Sequence, residues 1–153
     1  MEDLQYINKF LYNLSSMQAL YNKTFEPAKE KLGLSMGEID VLLFLSNNPK
    51  YNIATEIVKY RNLSKSYISK AVTTLKDRGL LRIDSDLQDG RIQHLLVTKK
   101  ADDLVERLNE QLNGFYSMLT KNVSVKELEK FIEIADKLAD NVREPVEGGK
   151  DLR

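Results

Sequence analysis

The stretch from Leu63 to Thr98 constrains the fold of this chain most, because it joins a short amphipathic helix directly to a hairpin. Its first half, L-S-K-S-Y-I-S-K-A-V-T-T-L-K-D-R-G, predicts one helix that Ser64 caps and Gly79 ends. Its buried face is formed by four apolar residues at helical spacing: Ile68, Ala71, Val72 and Leu75. The opposite face carries hydroxyls and lysines. Such a face suits the major groove of DNA, where polar groups meet base edges and phosphates.

The second half of this stretch predicts a β-hairpin. Apolar Leu81 and Ile83 alternate with polar neighbours, S-D-L-Q-D-G-R at 85–91 supplies the turn, and residues 93–97 return as a second strand. Residues 53–61 predict a short helix before the turn at Asn62. The two helices form a unit whose second helix enters the groove, and the hairpin completes a winged helix-turn-helix.

The same residues resemble the MarR family of bacterial transcription regulators. L-S-K-S-Y-I-S-K-A-V-T-T-L-K-D-R-G-L-L, at 63–81, is similar to the family's recognition helix and the step into its wing. D-L-Q-D-G-R, at 86–91, resembles the wing signature D-x-R-D-x-R, with Gln88 where the first arginine is usual. The resemblance covers roughly residues 4–142. It implies a mainly α fold with a small antiparallel β wing (α+β), a winged helix-turn-helix domain on a helical dimerisation base.

The charge distribution agrees with a nucleic-acid partner although the net charge is zero. Residues 64–100 hold eight Lys and Arg against four Asp, whereas residues 101–153 hold eight basic against twelve acidic residues. The basic excess therefore lies in the helix and hairpin, as expected for an electrostatic footprint on DNA. On charge alone, an ordinary solvated surface remains an alternative.

Length and composition indicate one soluble globular domain in the cytoplasm. The chain has 153 residues, 42% of them hydrophobic and 30% charged, and it has no cysteine. No apolar run reaches the ~18 residues that a membrane span requires. The first residues, M-E-D-L-Q-Y, lack the features of a signal peptide. We therefore expect no membrane partner and no disulfides.

Several helix ends are marked in the sequence. Pro27 predicts a kink or a break near residues 23–27 in the first long helical pattern, which Gly33 closes. Ser35 and Ser124 each precede a glutamate by three residues, which predicts two capping boxes. Thr98 is expected to cap the helix after the hairpin, and residues 50–52 are a candidate third strand.

Surplus apolar stripes on the first and last helices predict a dimer. We expect four leucine and phenylalanine side chains to be buried between chains: Leu11, Leu14, Phe131 and Leu138. A two-fold dimer would match two half-sites of an operator, and the family uses the same helices as its dimer interface. A single monomeric helical core is the alternative. The expected regions are a helical dimerisation region at 1–32 and 98–144, a winged domain at 33–97 and a disordered tail at 145–153.

The expected DNA-binding residues lie on the helix and the wing. We expect bases and nearby phosphates to be contacted by Ser66, Tyr67, Ser69, Lys70 and Thr73. Lys65 and Lys76 are expected to hold the DNA backbone. The resemblance implies that Arg91 points into the minor groove, braced by Asp86, with Gly90 allowing a positive φ beside it.

No arrangement of residues points to catalysis or to a metal site. His94 is the only histidine, and its place in a strand favours a packing or surface role. Asp84, Asp86 and Asp89 are explained by hairpin chemistry, since no Glu lies twelve positions after Asp84. We therefore expect no enzyme activity, no cofactor and no metal.

Two functions follow. The first is a dimeric regulator that binds a pseudo-palindromic operator in double-stranded DNA, most simply as a repressor. In the family, a small aromatic or lipophilic ligand releases some members from DNA, and the sequence leaves open whether this one is released in that way. The alternative is a winged-helix protein-interaction module that does not bind DNA.

Overall fold

The computed structural model describes residues 2–148, with side chains over residues 4–141. In this part the chain is mainly helical with one small antiparallel sheet, as predicted. The elements are α1 (Glu2–Thr24), α2 (Glu26–Leu32), α3 (Met36–Asn47), α4 (Ala54–Arg61), α5 (Lys65–Asp77), β1 (Leu81–Ser85), β2 (Gln93–Val97), a 3₁₀ turn (Lys99–Ala101), α6 (Asp102–Leu119) and α7 (Val125–Gly148).

Three helix ends fall where the sequence predicts. The Ser35 side chain accepts from the Glu38 N–H, and the Glu38 carboxylate accepts from the Ser35 N–H at 2.6 Å. Ser124 and Glu127 form the same box at the start of α7. At the C-terminal end of α2, Gly33 closes the helix with a φ of 61°, a left-handed conformation that glycine adopts at little cost.

Pro27 separates the first two helices, as predicted. It lies in the first turn of α2, where a missing N–H costs no helical hydrogen bond. The carbonyl oxygen of Phe25 accepts from Lys29 at 3.0 Å and starts the new helix. Phe25 itself is fully buried, so the break brings its ring into the core.

The wing is a two-stranded hairpin in which Leu81 pairs with Val97 and Ser85 with Gln93. The predicted third strand at residues 50–52 is wrong. Asn52 contributes a single backbone hydrogen bond, from the Leu95 N–H to its carbonyl oxygen at 2.7 Å, and too short a segment runs beside β2 to form a ladder. This bond still attaches the wing to the segment before α4.

Two further boundaries differ from expectation. Thr98 does not cap α6 with its side chain, because its hydroxyl donates to the Gly79 carbonyl oxygen at 2.7 Å and a 3₁₀ turn intervenes. At the other end, α7 continues past Pro145 to Gly148, so residues 145–148 are helical and the predicted disordered tail is wrong there. A single proline removes one helical hydrogen bond, and the two residues before it, Arg143 and Glu144, are good helix formers. Residues 149–153 lie outside the described residues.

Two compact units make up the chain, the first ending at Phe115 and the second beginning at Tyr116. The hydrophobic core belongs to the first unit and is built from α2 to α5, the hairpin and the first part of α6. α1 joins this core only at its end, through Leu20 and Tyr21, and residues 4–19 are exposed. In the second unit no side chain between residues 121 and 141 is buried.

Candidate nucleic-acid interface

The face of α5 opposite the core is exposed and polar. Ile68, Ala71, Val72 and Leu75 are buried, as predicted. All the residues of the helix that were predicted to contact DNA are exposed: Lys65, Ser66, Tyr67, Ser69, Lys70, Thr73 and Lys76. The helix begins at the cap formed by Ser64, whose hydroxyl oxygen accepts from the Tyr67 N–H at 3.2 Å. A single helix thus presents three lysines and several hydroxyls on one side of the domain.

Tyr67 differs from the other predicted contacts because its ring is directed toward α3. A methyl group on Gly37 would lie 3.1 Å from Cζ of Tyr67, so the ring lies close against this position of α3. Burial raises the pKa of Tyr67, and the negative charge of Asp40 raises it further. Tyr67 therefore packs α5 against α3. Only 39% of its surface remains exposed.

The wing and α5 border the same side of the domain. Lys65, Ser69 and Thr73 line a cavity of about 350 Å³ whose other walls include Gln93 of the wing. A neighbouring cavity is lined by Arg91 and again by Gln93. Arg91 therefore lies beside the first turn of α4, and Ala54, Thr55 and Gln93 line both cavities.

The basic residues of this region divide into structural and unpaired ones. Arg78 donates to two backbone carbonyl oxygens at the end of α2, at 3.0 and 3.1 Å. Lys100 donates to the carbonyl oxygen of Arg78 at 2.7 Å, and Arg82 pairs with Asp84 at 2.8 Å. Five others are exposed and form no ion pair among the described residues: Lys65, Lys70, Lys76, Arg91 and Lys99.

The predicted brace between Asp86 and Arg91 is wrong for the structure of the wing. Asp86 Oδ1 accepts from the N–H groups of Gln88 and Asp89 at 2.7 and 2.9 Å, and its Oδ2 lies 3.0 Å from Nε2 of His94. These bonds, the one to His94 foremost, lower the pKa of Asp86 from 3.8 to about 2. Turn amides and His94 thus occupy the carboxylate that was expected to hold Arg91.

Gly90 does not have the predicted positive φ, which among the described glycines occurs at Gly33 and Gly79. Side-chain and backbone hydrogen bonds bend the turn instead. Asp89 Oδ1 accepts from the Arg91 N–H at 3.0 Å, and the Ile92 N–H donates to the Asp89 carbonyl oxygen at 2.9 Å. With the bend made by aspartates, no left-handed residue is needed at position 90.

The sequence interpretation missed a polar network beneath the helix-turn-helix. Asp40, 6% exposed, accepts from Arg61 at 2.7 Å and from the hydroxyl of Tyr21 at 3.0 Å. Burial raises the pKa of Tyr21, and the charge of Asp40 adds to this. The network ties the end of α1 to α3 and α4. One signal was available, an aspartate within the apolar run I-D-V-L-L of α3.

Other kinds of site find no support in the part of the chain that the structure describes. No group of three or more His, Asp and Glu side chains is arranged to hold a metal ion there. Among the helices described, none is long and apolar enough to cross a membrane.

Comparison with known proteins identifies the same region. The sequence model of the MarR family matches residues 32–92, which hold α3, α4, α5 and most of the wing. A curated relative, the HTH-type transcriptional repressor IacR of Pseudomonas putida, is 25% identical over 126 residues, 80% of this chain and 75% of its own.

Solved structures agree on the fold. The transcriptional regulator PA3341 is 19% identical with a TM-score of 0.78, covering 91% of this chain and 99% of its own. A putative MarR family regulator from Listeria monocytogenes, complexed with a 26mer DNA, is 17% identical with a TM-score of 0.77, covering 94% and 97%. Residues 32–92 of the chain therefore match the MarR family, and the chain shares the fold of these two transcriptional regulators.

Proposed function

We propose that this protein is a dimeric, sequence-specific DNA-binding transcription regulator that acts in the cytoplasm as a repressor. The observation that carries the proposal is the exposed face of α5, with hydroxyls and with lysines that form no ion pair among the described residues. The Pseudomonas putida relative is a repressor by name, and the Listeria monocytogenes structure holds DNA, which supports extending both properties to this chain.

In this proposal α5 lies in the major groove of double-stranded DNA. Ser66, Ser69 and Lys70 face base edges and nearby phosphates, and Lys65 and Lys76 contact the backbone at the two ends of the helix. Thr73 contributes less as a donor, because its hydroxyl already donates to the Ser69 carbonyl oxygen at 2.9 Å. Arg91, on the turn of the wing, reaches an adjacent minor groove, where negative potential favours an arginine.

The proposed dimer follows from apolar side chains that each unit leaves exposed. On α1, Leu11 and Leu14 are 54% and 41% exposed. On α7, Phe131 and Leu138 are 49% and 47% exposed. Burial of such rows in a second copy removes apolar surface from water, and a two-fold dimer presents two α5 helices to the half-sites of a pseudo-palindromic operator.

We further propose that binding of a small aromatic or lipophilic acid releases the protein from DNA. A cavity of about 270 Å³ between α2 and α6 could hold such an acid. Two cations, Lys31 and Arg107, and one carboxylate, Glu110, line it, and Ala28 and Leu108 supply apolar walls. The amide oxygen of Gln111, also at this cavity, is buried without a hydrogen-bond partner among the described residues. A bound carboxylic acid would pair with a cation, and a hydroxyl on its ring would satisfy the amide oxygen.

DNA binding is tested by a mobility shift on the DNA upstream of the protein's own gene, with unrelated DNA as competitor. The Lys65→Ala/Lys70→Ala double variant should lose the shift. Lys121→Ala/Lys126→Ala changes the net charge equally at exposed positions outside the winged domain and should retain it. A folded protein that gives no specific shift even at low salt would favour the protein-interaction module.

The ligand is tested in the same assay with benzoate and with uncharged benzamide. Release by benzoate alone, abolished in Arg107→Ala, is the expected result. Equal effects of the two compounds would contradict carboxylate recognition at this cavity.

A further inference from the structure

His94 lies on β2 with each ring nitrogen facing an oxygen of a different segment. Its Nε2 is 3.0 Å from Oδ2 of Asp86 at the start of the wing turn. Its Nδ1 is 2.7 Å from Oδ1 of Asn52, in the segment before α4. The ring therefore bridges the tip of the wing and the helix-turn-helix.

The chemistry of these contacts depends on the protonation of the ring. A neutral imidazole has one N–H, so it donates one hydrogen bond and must accept at its other nitrogen. An ionised carboxylate only accepts, and so does the amide oxygen of Asn52. Both contacts are hydrogen bonds at once when the ring carries two protons. To satisfy a neutral ring, the amide of Asn52 would have to turn over and present its NH₂ group.

The two partners of His94 hold parts of the wing that matter for its orientation. Besides His94, the Asp86 carboxylate accepts from the turn amides of Gln88 and Asp89, and the Asp86 N–H donates to the Ile92 carbonyl oxygen at 2.9 Å. On the other side, the Asn52 carbonyl oxygen accepts from the Leu95 N–H at 2.7 Å. The bridge thus continues from the segment before α4 into the turn that presents Arg91.

The charged groups around the ring come from three sides. Asp84 lies opposite His94 in the strand register, and its carboxylate is paired with Arg82 at 2.8 Å. On the side of α4, Glu56 is directed to the Ile53 N–H at 3.1 Å, and Arg91 lines the cleft beside the first turn of that helix. Asp86 is therefore the carboxylate whose charge acts directly on the ring.

We propose that His94 is a positioning residue of the wing, whose doubly protonated ring holds Asp86 and Asn52 together, so that loss of one ring proton loosens the turn and weakens DNA binding. The DNA-binding part of this inference depends on the proposed function. The structural part does not.

The structural part is tested by NMR of the full-length protein. Because the chain has one histidine, its ring signals are unambiguous. We expect both ring N–H protons at the acidic end of a pH titration and one of them at its basic end. The amide signals of Gln88 and Asp89 should shift with the same midpoint. A ring that titrates while these amides stay constant would overturn the proposal.

Variants of the two partners give opposite predictions. Asn52→Asp places a carboxylate at Nδ1 and should raise the ring's midpoint. Asp86→Asn removes the charge at Nε2, can donate to a neutral ring and should lower it. Asp84→Asn removes the same charge two residues earlier, in β1, without changing either hydrogen bond of the ring, and is the control. If the midpoint moves equally in Asp84→Asn and Asp86→Asn, the shift reflects nearby negative charge and not the hydrogen bond between Asp86 and His94.

The functional part is tested by operator affinity at constant salt over the same pH range. Affinity should fall roughly three- to tenfold as the ring loses its proton, the effect of about one hydrogen bond. His94→Gln should abolish this dependence, and Asn52→Asp should move it to higher pH. If His94→Gln does not fold, Asn52→Asp and Asp86→Asn still show whether operator affinity follows the protonation of the ring. A flat profile with normal operator binding would overturn the inference alone, whereas absence of specific binding in every variant would overturn the proposed function.

Discussion

Among single residues, Lys70 is the strongest candidate for reading a base. It lies near the middle of α5, exposed and without an ion pair among the described residues. Lysine is a point charge that lacks the bidentate fork of arginine, so its preference among bases should be moderate. We expect Lys70→Ala to weaken operator binding by about 1–3 kcal/mol. Titration against operator and random DNA checks this, and equal losses on both would assign Lys70 to phosphate.

Arg91 should act mainly through its charge. Neutralising one phosphate contact changes the slope of log affinity against log salt by about 0.9. We therefore expect Arg91→Ala to reduce affinity and to flatten this slope by about one unit. Affinities measured at several salt concentrations test it, with the exposed Lys121→Ala as a charge-matched control. An unchanged slope would mean that the wing does not contact DNA.

At the scale of elements, the turn of the wing is stabilised by the ionised carboxylate of Asp86, so it should lose stability at low pH. The folded pKa of Asp86 is about 2, below its usual 3.8. A lowered folded pKa means that the ionised group stabilises the turn above pH 3.8, and that this stabilisation is lost as the pH falls toward 2. We expect the amides of Gln88 and Asp89 to lose their distinct NMR shifts between about pH 4 and 2. The same amides unchanged at pH 2 would refute the assigned hydrogen bonds.

Two glycines in turns should respond differently to substitution. Gly33 closes α2 with a φ of 61°, a conformation that costs an alanine roughly 1 kcal/mol or more. Gly90 lacks a positive φ, and no atom lies within 4 Å of the position that an added methyl group would take, so alanine there should change stability by less than about 0.5 kcal/mol. Urea denaturation of the Gly33→Ala and Gly90→Ala variants compares them. A larger loss at Gly90 would restore the left-handed turn that the sequence had suggested.

The sequence was most informative where structure is local. Ser35, Ser64 and Ser124 mark helix starts because their hydroxyls bond amides within the next turn, and the apolar face of α5 follows from its spacing. The Asp86–His94 and Asp40–Arg61 pairs join residues from different elements, and no local pattern specifies them. The wing signature indicated which residues lie in the turn, but their pairing depends on the register of β1 and β2 and on Asn52 from outside the hairpin.

At the scale of the whole molecule, the exposed rows on α1 and α7 predict the assembly. We expect sedimentation of the full-length protein to show a dimer at micromolar concentration. Leu11→Glu and Phe131→Glu should each shift it toward monomer, because a charge buried in an apolar interface is costly. Leu87→Ser is the matched control, since Leu87 is fully exposed in the wing turn and belongs to neither row. A wild-type monomer under these conditions would contradict the proposed dimer.

The anchoring of α1 at one end has a mechanical consequence. Its 23 residues form a rod about 35 Å long at 1.5 Å per residue, and the polar network holds it only near Tyr21. A tilt of about 5° at this pivot moves the opposite tip by about 3 Å, close to the rise of one base pair. In the proposed dimer, the hydrogen bonds at Asp40 therefore lie at the pivot of α1. Their strength would control how far α1 tilts, and with it the distance between the two α5 helices on the operator.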